Sequence, residues 1–129
     1  DARATCWSNY KHYFSSGNGF TFNQEDLVKF FQLYSEIMKF WHKLFPDKIY
    51  DLSYEKLTEN QKVETEKLLK YCDLDWDPSC LTHYKSKKTI INTVSIYQAR
   101  KPIYSSSSNS NYHYESFLSD YFQKLSTID

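Results

Sequence analysis

Leu27, Phe31, Tyr34, Met38, Trp41 and Phe45 return at alternating steps of four and three residues, the period of one helix face. A strand cannot carry that pattern, because its faces alternate at every second residue. Asn23 ahead of the run is a helix N-cap, and Asp26 falls in the first turn, where a negative charge is favourable. Pro46 ends the run, since its ring clashes with a continuing turn. The spacing therefore predicts a helix from about Asn23 to Phe45. Its apolar stripe reads as core, not as a cofactor box, and the rest of the chain must pack around it.

Enough material exists for that packing. Twelve Tyr, nine Phe and three Trp in 129 residues favour one domain with a modest core over disorder. Lys and Arg balance Asp and Glu at 16 each, which speaks against a nucleic-acid partner. Only Gly17 and Gly19 are glycines, so a glycine-rich phosphate loop is excluded. Cys6, Cys72 and Cys80 are odd in number and unpatterned, pointing to core cysteines or a reducing, cytoplasmic compartment. No apolar run is long enough for a membrane helix. The first residue is Asp, and the chain reads as a piece of something longer.

Around the long helix the chain predicts mostly helical elements. Asp1 to Phe14 reads as a helix and Ser15 to Gly19 as a turn. Lys48 to Tyr54 reads as a strand, because Ile49, Tyr50 and Leu52 suit a pleated surface and Pro46-Asp47 turns the chain before it. Thr58 to Gln61 reads as a capping box opening a helix to about Cys72, with Thr65, Leu68, Leu69 and Cys72 inward. Asp77-Pro78 is a further helix start. Ser105 to Asn111 is low-complexity and flexible. Tyr114 to about Leu125 predicts a terminal helix packing Phe117, Leu118, Tyr121, Phe122 and Leu125.

The chemistry gathers late in the chain. From Pro78 to Tyr114 there is no Asp or Glu, yet Lys85, Lys87, Lys88, Arg100 and Lys101 are present among Ser and Thr hydroxyls. Such a region suits a phosphate- or sulfate-like ligand, but composition alone favours a solvated basic loop, since charge runs are usually just exposed. Cys72, Cys80 and His83 offer three zinc ligands without paired spacing, so no metal site is assigned. The four histidines share no spacing, and no catalytic residue is assigned.

Thr93-Val94-Ser95 followed by Gln98-Ala99-Arg100-Lys101-Pro102-Ile103-Tyr104 resembles the T-A-S-x-x-Q-V-R-x-P-I-Y signature of sulfotransferases linked to tetratricopeptide repeats. It is also similar to the S-T-D-Q-V-I-K-P-V segment of tyrosylprotein sulfotransferases. Asp1 to Ser8 resembles the tail of the family's R-D-P-x-x-x-x-x-S motif, whose arginine would precede Asp1. Tyr54-Glu55-Lys56-Leu57 resembles R-Y-E-x-L, with Ser53 in place of the arginine. Leu74 to Leu81 resembles G-L-x-W-D-P-x-C-L, with Asp73 in place of the glycine.

The resemblance implies the carboxy-terminal half of a sulfotransferase domain spanning residues 1–129. Its parent would be a P-loop-like three-layer α/β fold, and this part would be mostly helical with one strand near 48–54. The co-substrate implied is 3′-phosphoadenosine 5′-phosphosulfate, whose sulfuryl group passes to an acceptor hydroxyl on a glycan, lipid, peptide or small molecule. Donor-binding roles carry over to Ser8, Tyr54, Ser95, Gln98, Arg100 and Lys101, with His12 or Lys11 one turn beyond Ser8. Ser8, Tyr54 and Ser95 are expected to converge on one cleft. The family's 5′-phosphosulfate loop and general base lie in the other half, so this part alone is expected to be inactive. A non-catalytic helical interaction module remains the alternative, resting on the aromatic content.

Overall fold

The computed structural model describes residues 1–85, 100–105 and 110–128. Among these, every regular element is helical: α1 (Ala2–Tyr10), α2 (Gln24–Leu44), α3 (Tyr54–Glu59), α4 (Gln61–Tyr71) and α5 (Ser119–Ser126). Short 3-10 segments cover Gly19–Phe22, Pro78–Lys85 and Ser110–Tyr114. The chain divides into two compact units, one built from residues 1–49 and 106–129, the other from 50–105.

In the first unit α1, α2 and α5 pack pairwise around one core. Ala2, Cys6 and Trp7 come from α1, Leu27 and Val28 from α2, and Tyr121, Phe122 and Leu125 from α5, with Ile128 behind them. Burying an aliphatic or aromatic side chain contributes about 1.5–3 kcal/mol, so these few residues hold the unit together. The caps are local. Asp1 Oδ1 accepts the Ala4 N–H at 3.0 Å, and Asn23 Oδ1 accepts those of Glu25 at 2.8 Å and Asp26 at 3.2 Å. Glu25 pairs with Lys124, tying the start of α2 to α5.

Several sequence expectations need correction here. α1 stops at Tyr10 and not at Phe14, because the His12 N–H turns back to the Asn9 carbonyl at 3.2 Å. The terminal helix is split in two, and Phe117, expected inside, is 82% exposed between the pieces. The stripe on α2 is core only in its first two turns. Tyr34, Trp41 and Phe45 are each at least 40% exposed, as are Phe30, Leu33, Ile37, Phe40 and Leu44.

In the second unit the α/β expectation fails: the described residues contain no strand and no sheet. Residues 48–53, expected to be a strand, form an irregular connection, and Tyr54 opens a helix. The physical reason is that a lone strand has no neighbour for its N–H and C=O groups, whereas a helix satisfies its own. Ser53 decides the choice locally, its Oγ accepting the Lys56 N–H at 3.3 Å as an N-cap. The capping box at Thr58 is also absent. α3 runs through Thr58, whose hydroxyl donates to the Glu55 carbonyl at 2.8 Å, and Asn60 starts α4 without a side-chain cap.

The second unit has a thin interior. Glu64 is its buried residue among those described, held by Lys67 Nζ at 2.6 Å, while Cys72, expected inward, is exposed. Gln61 Nε2 donates to the Cys80 carbonyl at 3.4 Å and joins α4 to the 3-10 segment. Asp77 caps that segment through the Ser79 N–H at 2.7 Å, which holds its carboxyl below the usual carboxylate range.

Candidate functional site

Ser8 lies at the end of the second turn of α1, opposite Cys6, and is exposed. Lys11, the C-cap of α1, follows one turn beyond Ser8, and His12 lies just past the helix end, held near Ser8 by its ring. His12 Nδ1 sits 2.7 Å from the Ser8 carbonyl oxygen. Nδ1 therefore carries the proton in the neutral ring, leaving Nε2 as an acceptor; a second proton makes Nε2 a donor. Lys11 Nζ donates to Ser110 Oγ at 3.4 Å, bringing the first residue of the 3-10 segment to the same group.

The group thus presents a hydroxyl, an ammonium and an imidazole to solvent. That donor set is suited to an anion, because charge-assisted bonds from Lys and His⁺ complement a hydroxyl on phosphate oxygens. Arg3 does not join it. Its guanidinium lies 3.5 Å from Asp1 and 3.7 Å from Glu115, and 5.9 Å from the Tyr112 ring centroid. Behind the group the core is apolar, and burial pushes the Cys6 thiol up to about 11. Tyr121, whose hydroxyl faces that thiol without a hydrogen bond of ordinary geometry, is raised further by the same cause.

The remaining donor-site candidates belong to the second unit. Tyr54 is half-exposed at the first position of α3 and not at the end of a strand. Arg100 and Lys101 are exposed on a bend, followed by Pro102 and a part-buried Ile103. Ser95 and Gln98 lie outside the described residues, as do 106–109 of the serine-rich stretch. Of that stretch, Ser110 and Asn111 begin the 3-10 segment, and Asn111 is 2% exposed.

Two features escaped sequence reasoning. One is the Lys11–Ser110 contact, a pairing across 99 positions that no local signal announces. The other is a cavity of about 290 Å³ at the end of α4, lined by Glu66, Leu69, Lys70, Asp73, Leu74, Asp75 and Trp76. None of the described donor-site candidates, Ser8, Tyr54, Arg100 and Lys101, lines it. Leu74, Asp75 and Trp76 of its lining belong to the Leu74 to Leu81 stretch, the one sequence signal that marks the place. Among the described residues no three His, Cys, Asp or Glu side chains group as metal ligands. No described helix is long and apolar enough to cross a membrane.

Residues 1–78 match the sequence profile of the sulfotransferase family. An uncharacterized protein of Aquifex aeolicus (strain VF5) is 37% identical over 121 residues, covering 92% of this chain. The chain spans only 16% of that relative's length. No solved structure matches it.

Proposed function

The chain belongs to the sulfotransferase family, and on that premise we propose that it supplies nucleotide-binding residues of a site using 3′-phosphoadenosine 5′-phosphosulfate. The sulfuryl group passes from that donor to an acceptor hydroxyl. Ser8 is assigned to the 3′-phosphate, with Lys11 and His12 beside it. Tyr54 offers a half-exposed ring for the nucleotide, where an aromatic face stacks on a base and its hydroxyl reaches a phosphate or sugar. Ser95, Gln98, Arg100 and Lys101 are assigned to the donor on the signature that they complete. The same signature favours the repeat-linked or tyrosylprotein-like branch.

The observation that carries this reading is the grouping of exposed Ser8 and Lys11 with part-exposed His12 at the end of α1, the His12 ring 2.7 Å from the Ser8 carbonyl oxygen. In a sulfuryl transfer these residues position the donor and neutralise its phosphate; none of them touches the reacting sulfur. No residue of the chain is assigned as base. The 129 residues by themselves are expected to bind the donor feebly, because the charged partners that the resemblance implies for it are not all among them. A missing partner for a buried charge typically costs about 2–5 kcal/mol.

Titration with adenosine 3′,5′-bisphosphate, followed by amide shift mapping and calorimetry, tests the assignment. Weak, millimolar-range binding with shifts at Ser8, Lys11, His12 and Tyr54, lost in Ser8→Ala, is the expected result. Micromolar binding, or shifts confined to other residues, overturns it. A helical interaction module is the second reading, favoured by the exposed apolar side of α2; a bisphosphate that moves no amide is the outcome it requires.

A further inference from the structure

The outward side of α2 carries its own repeat, separate from the residues that face the core. Phe30, Leu33, Ile37, Phe40 and Leu44 follow at steps of three, four, three and four, and each is between 45% and 56% exposed. Five residues at this spacing are the a and d positions of two heptads, the seam by which one helix interlocks with another. Phe20 already stacks on Phe30, with ring centroids 3.9 Å apart and planes within 9°. Among the described residues no ring stacks over the other four positions; Phe40 meets only the edge of its neighbour Trp41.

We propose that this seam is the interface of a symmetric, antiparallel dimer of the chain. The flanking residues select both the partner and the direction. Layering Ile37 on Phe40 of a second, antiparallel copy also layers Leu44 on Leu33. In that register the flanking positions set Glu36 beside Lys43 and Tyr34 beside Trp41, and the twofold axis repeats every pair. All four flanking residues are exposed. The register leaves Phe30 outside the layers, where Phe20 covers it. A parallel pairing sets Glu36 beside Trp41 and Lys29 beside Tyr34, with no opposite charges matched. A bilayer offers no counterpart to the alternation of Glu36 and Lys43 along one flank. The seam is short, and short interfaces belong to weak, concentration-dependent dimers.

Sedimentation equilibrium of the chain over a micromolar-to-millimolar series tests this. A monomer–dimer equilibrium is expected. Phe40→Glu should weaken it by about a hundredfold, as burying an unpaired charge at an interface centre does. Glu36→Lys should weaken it by about tenfold, and the double variant Glu36→Lys/Lys43→Glu should restore it. The charge variants lie on the surface and keep the helix, so the outcome does not hang on the folding of Phe40→Glu. A chain that stays monomeric throughout overturns the proposal, including one that floats with anionic vesicles while monomeric. So does a dimer indifferent to both charge reversals.

Discussion

Cys6 is 1% exposed, packed from α1 against Tyr121 of α5, and its thiol is pushed up to about 11 by burial. The unfolded thiol titrates near its ordinary 9.0. Below that value both states are protonated, and the stability is fully present. Above it the unfolded chain releases its proton first, so stability is lost as the pH rises toward 11. A shift of this size corresponds to at most roughly 3 kcal/mol. Urea unfolding of the protein and of Cys6→Ala across the alkaline range is the measurement. The variant should lack this part of the alkaline slope, and parallel slopes would refute the assignment. At Ser8 the matching expectation is functional: Ser8→Ala leaves the unfolding midpoint within about 0.5 kcal/mol, because the side chain is exposed, while weakening bisphosphate binding. The place of Ser8 on a helix face is legible from sequence. That Lys11 reaches Ser110 is not, since helix spacing reports only neighbours within a turn.

α4 ends in a motif that explains a departure from the family pattern. Asp73 stands where the G-L-x-W-D-P-x-C-L pattern that the chain resembles has glycine, and its φ is +55°. The Leu74 N–H bonds the Leu69 carbonyl at 2.9 Å, and the Asp73 N–H bonds that of Lys70 at 3.2 Å. These are the paired bonds of a Schellman helix end, which needs one left-handed residue, most cheaply glycine. Asp73→Gly should therefore stabilise the chain by up to about 1 kcal/mol. A thermal melt showing a loss instead would mean that the Asp73 side chain contributes more than its backbone costs. At the other kind of helix end, Asn23→Ala should destabilise by about 1 kcal/mol, because Glu25 and Asp26 lose the acceptor for their N–H groups. Both ends were visible in the sequence, one as a cap residue and one as a replaced glycine. The capping box at Thr58 was a false signal, since Thr58 and Glu59 fit equally well in the last turn of α3, leaving Asn60 between the two helices.

At the scale of the whole chain, contacts between distant segments decide what local patterns leave open. Lys124 holds the Glu25 carboxyl below its usual range by hydrogen bond and charge, across 99 positions. A lowered carboxylate pKa adds stability above the unfolded value, and that stability is lost as the pH falls. Lys124→Met should thus flatten the acid side of the stability profile slightly, the pair being exposed. An unchanged acid limb would show the pair to be inert. By itself the sequence determined the start and stop of α2, the N-cap at Asn23, the start at Asp77 and the family, because each rests on residues within a few positions of one another. It did not determine that residues 48–53 stay irregular, that Phe117 faces outward, or that of the α2 stripe only Leu27 and part of Phe31 join the core, with Val28 from beside the stripe. Strand formation and burial both need a partner surface brought from elsewhere in the chain. Apolar spacing records that a side chain is able to be covered, and only the tertiary packing of α1 and α5 settles how much of α2 they are long enough to cover.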